Sequence, residues 1–251
     1  MEFNSDIYVT NANGSGVRRV TRSGAYEESP SFFPDGQRIA FAKYSRDDAD
    51  IFTKKIGTPG STRLTDSRAF EESVAVSPDG TRIAFTRYGR NGADIFAMNA
   101  AGTGTVDLTK TDQIDEFGAD WSPDGGKIAF TSFRFSDLEG PAAQMAESQE
   151  EGAFSPEALD PLAREASESK STVAVPDESA EISVMNADGS EREDLTASRA
   201  YDVLPAFSPC GDEIVFSRAT FDRRSEGSEL FVMGSDGANK RQTTDTPRAF
   251  E

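Results

Sequence analysis

One carboxylate recurs at a fixed place along this chain. It stands seven residues before each of four prolines: Glu27 before Pro34, Glu71 before Pro78, Glu116 before Pro123 and Asp202 before Pro209. Glu251 falls in the same register, because Thr246-Pro247-Arg248-Ala249-Phe250-Glu251 repeats the pattern of Asp66-Ser67-Arg68-Ala69-Phe70-Glu71. Like charges brought together repel unless they are solvated or paired. Gathered, such carboxylates could hold Ca²⁺, a hard cation that takes oxygen ligands, or receive a cationic peptide tail. Kept apart, each would cap nearby loop amides or pair with an arginine; Arg22, Arg68 and Arg199 stand in the preceding loops.

A second acid recurs as Asp6, Asp50, Asp94, Glu181 and Glu229. Arg38, Arg82 and Lys127 each precede an isoleucine, and a cross-strand charge pair with this second acid is the plain expectation. The chain has no histidine. A Ser-His-Asp triad needs one as its base, and zinc sites and many iron and manganese sites lean on it. No Gly-x-Ser-x-Gly elbow, P-loop or Cys-x-x-Cys is present. The single cysteine, Cys210, excludes an internal disulfide and reads as an exposed substitution in a turn. Asn186-Ala187-Asp188-Gly189 lacks the alternating acids and distal Glu of a calcium loop. No catalytic residue, metal or cofactor is expected.

The elements that position these acids repeat as well. Ser77-Pro78-Asp79-Gly80-Thr81-Arg82-Ile83-Ala84-Phe85 has counterparts at 33–41, 122–130 and 208–216. The first three prolines lie 44 and 45 residues apart, and the last gap is 86. Pro fixes φ for a tight turn, Asp bonds its own backbone, and Gly tolerates φ > 0. An apolar strand follows. A second unit, Asp94-Ile95-Phe96-Ala97-Met98-Asn99 with Leu108-Thr109, recurs five times, with 14 residues from its acid to the Leu position in every copy. Each period therefore holds four strands: A before the Pro turn, B after it, C at the second acid, D at Leu-Thr. Four antiparallel strands repeated about every 44 residues are the signature of propeller blades. Phe32, Val76, Trp121 and Phe207, each two before a turn proline, are expected in the blade core.

The count gives an all-β propeller with four complete blades, about 27–65, 71–109, 115–196 and 202–244, after a half blade at 6–21. The ring is expected to be incomplete, truncated, or completed by a second chain. The third blade carries an excess of about 45 residues, 136–180, with 11 acids against Arg164 and Lys170. It is too poor in large apolar residues to build a blade and is expected to be a mobile acidic tether that proteases cut first, or, in the sharper reading, a docking segment for a basic partner. The net charge of −18 argues against nucleic acid or an anionic membrane as partner. The residues 1–6 lack the basic and apolar parts of a signal peptide, and no apolar run is long enough to span a bilayer.

These repeats resemble the TolB-type β-propeller repeat, a relative of WD-type repeats. The resemblance covers nearly the whole chain apart from 136–180, with no separate N-terminal α/β domain and with an insertion foreign to the family. It implies that strand A is innermost, so that Glu27, Glu71, Glu116, Asp202 and Glu251 would ring one mouth of the central channel. It also implies a periplasmic or extracellular location and a non-enzymatic scaffold that binds a protein or peptide, possibly basic, at that mouth. The alternative it implies is the accessory or gating propeller of a larger prolyl-oligopeptidase-like or tricorn-like peptidase. A lyase of the oligogalacturonate type, on a similar propeller, would need metal-ligating histidines that this chain lacks.

Overall fold

The computed structural model describes residues 4–134, 179–198, 200–219 and 227–245. The described residues contain strands and turns and no helix. A two-stranded pair, β1 (Tyr8–Val9) and β2 (Arg18–Arg19), comes first. Blade 1 is β3 (Glu27–Phe32), β4 (Arg38–Tyr44), β5 (Ala49–Lys55) and β6 (Thr62–Arg63). Blade 2 is β7 (Glu71–Val76), β8 (Arg82–Tyr88), β9 (Ala93–Asn99) and β10 (Val106–Asp107). Blade 3 is β11 (Ile114–Trp121), β12 (Lys127–Arg134), β13 (Ser179–Asn186) and β14 (Glu193–Asp194). Blade 4 is β15 (Tyr201–Phe207), β16 (Glu213–Ala219), β17 (Ser228–Gly234) and β18 (Arg241–Gln242).

Within each blade the four strands pair in sequence order, all antiparallel. This is the expected all-β propeller of four complete blades and an N-terminal half blade. The B strands carry runs such as Ile39-Ala40-Phe41 because neighbouring blades cover both of their faces; these three residues are 2%, 0% and 0% exposed. The apolar core accordingly lies between blades. One cluster joins Phe33 and Ile51 of blade 1 to Ile83 and Phe85 of blade 2. Others join blade 2 to blade 3, blade 3 to blade 4, and the half blade to blade 1. The A strands of successive blades lie side by side, which places them innermost.

Every A strand slips register two residues after its repeated acid, between Glu28 and Ser31, Glu72 and Ala75, Phe117 and Asp120, and Val203 and Ala206. At that residue the backbone is left-handed: φ is 49° at Ser29, 53° at Ser73, 66° at Gly118 and 56° at Leu204. A bulge adds twist and bends the strand, and here the bend recurs in all four inner strands. Leucine in this conformation is strained, and Leu204 remains 61% exposed. The Pro turns stack from blade to blade at the opposite end. A Cβ on Gly80 would come within 2.9 Å of Pro34 Cδ, and Gly80 has φ 70°, so only glycine fits that seam.

Phe32 corrects the core expectation. Trp121 is 6% exposed, and it packs on Ala75 and Ala84 of the preceding blade. Phe32 is 52% exposed. Its preceding neighbour is the half blade, whose two described strands offer no A–B surface to cover it. Most of the 136–180 excess and Glu251 lie outside the described residues; Ser179 and Ala180 already belong to β13.

Candidate site at the acid end of the blades

Antiparallel pairing places the start of strand A, the end of strand B and the start of strand C at one end of each blade. There the register aligns three residues across the sheet. Blade 2 sets Glu71 opposite Arg87 and Arg87 opposite Asp94. Blade 4 sets Asp202, Arg218 and Glu229 in the same row, and blade 1 sets Glu27, Lys43 and Asp50. The central cation lies over a stacked phenylalanine pair. Phe85 and Phe96 have centroids 5.9 Å apart, and the Arg87 guanidinium carbon is 4.2 Å from the Phe96 centroid. Phe216, Phe231 and Arg218 repeat this, with 4.7 Å from Arg218 to Phe231. Such cation–π contacts hold the guanidinium in place while its nitrogens face the acid.

The row acids are deeply buried. Glu27, Glu71, Glu116 and Asp202 are 4%, 0%, 0% and 0% exposed. Arg218 grips Asp202 with two parallel bonds, Nε to Oδ1 and Nη2 to Oδ2, both 2.6 Å. The bonded Asp202 in turn raises the pKa of Arg218. Arg87 donates from Nε and Nη2 to Glu71 Oε1 at 2.8 and 2.7 Å, and Ser67 Oγ donates to the same oxygen at 2.9 Å. Blade 3 departs from the pattern and compensates. Its central residue is Ser132, and its second stacking position is Ser183. The space is taken by Arg192 from the C–D turn, which pairs with Glu116, donates to Ser132 Oγ at 2.8 Å and lies 5.3 Å from the Phe130 centroid. Burial raises the pKa of Glu116, with Arg192 and hydroxyl partners acting in the opposite direction.

The four described acids thus share one end of the propeller, as their spacing suggested, but they are buried groups with partners of their own. The arginines that hold them are Arg87, Arg192 and Arg218; Arg22 and Arg68 do not pair with them, and Arg199 and Glu251 lie outside the described residues. Blade 1 is the weakest row. Ser23 Oγ donates to Glu27 Oε1 at 2.6 Å, while Glu27 Oε2 is buried without a partner, and Lys43 Nζ lies 5.3 Å from the Phe52 centroid. Replacing Lys43 with Arg should let the side chain reach Glu27 as Arg87 reaches Glu71. Chemical denaturation should then show a gain of about 1 kcal/mol.

The second acids serve the joint between blades. In all five copies the amide after the acid donates to a threonine hydroxyl fourteen residues on: Ile7 to Thr21, Ile51 to Thr65, Ile95 to Thr109, Ile182 to Thr196 and Leu230 to Thr244. The carboxylate then accepts from the loop that leads into the next A strand. Ser67 N reaches Asp50 at 3.3 Å, Thr111 N reaches Asp94 at 2.9 Å and Ser198 N reaches Glu181 at 3.0 Å. The expected pairs with Arg38, Arg82 and Lys127 do not form, because the antiparallel register sets Asp50 opposite Lys43 and Arg38 opposite Lys55. Asp50 pairs with Arg63 instead, and Arg38 with Asp35.

Sequence reading missed the neighbouring face of strand A. Glu28 and Glu72 follow the row acids and point the other way, toward Tyr44 and Tyr88. The repeated Glu-Glu at 27–28 and 71–72, matched by tyrosines 44 residues apart, was the available signal. Asp115, 3% exposed, accepts from Ala93 N at 2.8 Å, and burial first, then Asp94 and Glu116, push its pKa up to about 6. No group of three or more Cys, Asp or Glu able to hold a metal occurs among the described residues.

Comparison with known proteins places this arrangement. A family model described as the TolB beta propeller domain matches residues 4–142. No curated protein matches the sequence. Among solved structures, TolB from Acinetobacter baumannii superposes with a TM-score of 0.67 at 17% identity, over 95% of this chain and 48% of that one. This chain therefore spans about half the length of that relative. A putative TolB from Agrobacterium tumefaciens gives 0.56 at 18% identity, over 94% of this chain and 87% of that one. An oligogalacturonate lyase in complex with manganese gives 0.60 at 13% identity, over 95% of this chain and 59% of that one. At these identities the likeness is one of fold.

Proposed function

Because the chain belongs to the TolB β-propeller domain family, we propose that it is a non-catalytic scaffold that binds a basic protein or peptide at the acid end of its blades. The observation that carries this reading is how the repeated acids are used. Each described row acid is buried, and three of the four are locked to an arginine, so that end is built as a rigid platform and not as a set of free acids and bases. The electrostatic attraction comes from elsewhere. The net charge is −18, and the 11 acids of 136–180 lie on the connection from β12 to β13, which leaves and rejoins blade 3 at this end. A lyase reading finds no support in a chain without histidine.

The test is calorimetric titration with a short Lys/Arg-rich peptide at low and high salt. Binding should weaken steeply with salt, because attraction between exposed charges is screened within about 8–10 Å at ordinary ionic strength. A variant in which a short loop replaces 136–178 should lose most of that affinity and keep its stability. Absence of binding at low salt, or an unchanged affinity in the shortened variant, would sink the reading.

A further inference from the structure

The seam between blades 1 and 2 holds more close oxygen contacts than its phenols have hydrogens to fill. Tyr44 Oη lies 2.5 Å from Glu28 Oε1 and 2.7 Å from Glu72 Oε2. Tyr88 Oη lies 2.8 Å from Glu72 Oε1. A neutral phenol carries one hydrogen and donates once. Tyr44 and Tyr88 therefore supply two hydrogens to these three short contacts, the Tyr26 phenol spends its own hydrogen on Glu28, and two ionised carboxylates supply none. A third hydrogen must sit on a carboxyl group, where it turns the remaining contact from two opposed lone pairs into a bond. We propose that Glu28 and Glu72 hold one proton between them through the Tyr44 hydroxyl, forming a proton-bound clamp across the seam between blades 1 and 2.

The placement follows from strand alternation. Glu27 and Glu71 face their own rows, so Glu28 and Glu72 face the opposite side of strand A. Glu28 and Tyr44 come from β3 and β4 of blade 1, while Glu72 and Tyr88 come from β7 and β8 of blade 2. Tyr44 is 4% exposed. The titratable groups that act on the network are Tyr26, Tyr44, Tyr88 and Asp115. All are neutral or acidic, so each either bonds a carboxyl or opposes its ionisation. Burial is the first cause that raises the pKa of Glu72, the Tyr44 and Tyr88 bonds work against it, and the charge of Glu28 adds to the rise.

The clamp makes the seam sensitive to pH. The folded protein keeps a proton that the unfolded chain gives up to water near the ordinary glutamate pKa, about 4.3. The folded state thus binds more protons, and stability falls as pH rises from there through the titration of the pair. Over that interval one retained proton raises the unfolding constant about tenfold per pH unit. Once the second carboxyl ionises, two negative charges share the phenol and the seam loosens.

Infrared spectroscopy of the whole 251-residue chain at pH 6 is the direct test. A protonated-carboxyl band should be present in the parent and lost in both Glu72→Gln and Glu28→Gln, while Asp115→Asn should keep the part owed to this pair. Denaturation from pH 4.5 to 8 should show Glu72→Gln shedding about one proton's worth of pH slope and outlasting the parent at pH 8. Glu28→Gln gives the same readout if Glu72→Gln does not fold. A parent band that survives both glutamine variants, or equal pH slopes in parent and variants, overturns the clamp.

Discussion

A protein carrying Glu71→Gln and Glu116→Gln should unfold with about 4 kcal/mol less free energy than the parent and still bind a basic peptide with unchanged affinity. Both carboxylates are fully buried, and each holds an arginine: Arg87 on β8 for Glu71, Arg192 in the C–D turn for Glu116. Removing one charge of a buried pair costs roughly 3–5 kcal/mol, because the other charge is left without its counter-ion. Here the arginines are 25% and 24% exposed, so water can take over part of their solvation, and glutamine keeps an acceptor oxygen. About 2 kcal/mol per site is the resulting expectation. The two pairs share no partner, so the effects should add. For a chain of this length the double variant should melt roughly 8–16 °C lower. Loss of peptide affinity with unchanged melting would mean that these acids contact the partner directly and that their burial is not structural.

The fold was legible because its signals are local and repeated. Pro-Asp-Gly sets a turn whatever lies around it, and Ile-Ala-Phe declares a strand covered on both faces. The fourteen-residue interval from Asp or Glu to the Leu position marked a constant C–D unit before the threonine that explains it was seen. Once folded, that interval is the distance that brings Thr65 Oγ1 to Ile51 N and Thr109 Oγ1 to Ile95 N. The role of the acids was less legible, because it depends on register across three strands. Nothing local says that Glu71 meets Arg87, sixteen residues on, and not Arg68 three residues before it. The answer comes from hairpin geometry, which pairs the start of A with the end of B. Phe32 shows the same limit in the core. Its position repeats that of Trp121, but burial there requires a preceding blade with inner strands, and the described strands of the half blade are two outer ones.

Blade 3 adds a second kind of evidence about what the rows are for. Two substitutions relative to the repeat, Ser132 in place of the cation and Ser183 in place of the second phenylalanine, would leave Glu116 buried and unpaired. Arg192 enters from the far side of the sheet and closes the row, while Asp194 accepts from Ser183 Oγ at 2.6 Å. A ring of acids meant to face a ligand has no need of that repair. A row meant to neutralise a buried carboxylate does, and the repair appears in the one blade that lost the usual cation.

Asp115 should oppose folding at neutral pH, and its replacement by asparagine should stabilise the protein most where the parent is most alkaline. The carboxyl is 3% exposed, stands next to Glu116 in sequence and feels the charge of Asp94. The Ala93 amide bonds it at 2.8 Å and lowers its pKa in part, but burial dominates and sets it at about 6. An aspartate in the unfolded chain titrates near 3.9. The folded protein therefore binds the extra proton more tightly than the unfolded one. This contribution to stability is fully present below about pH 4 and is lost as the pH rises to about 6. A shift of about two units corresponds to roughly 3 kcal/mol. Asparagine keeps the oxygen that accepts from Ala93 N and carries no charge, and its amide can donate to a neighbouring carboxylate. Asp115→Asn should accordingly match the parent at pH 4 and exceed it by roughly 2–3 kcal/mol at pH 8. Denaturation midpoints at those two pH values decide the matter. A gain of equal size at both would assign the effect to packing and not to charge, and a loss at pH 8 would show that the ionised carboxylate is favourably held.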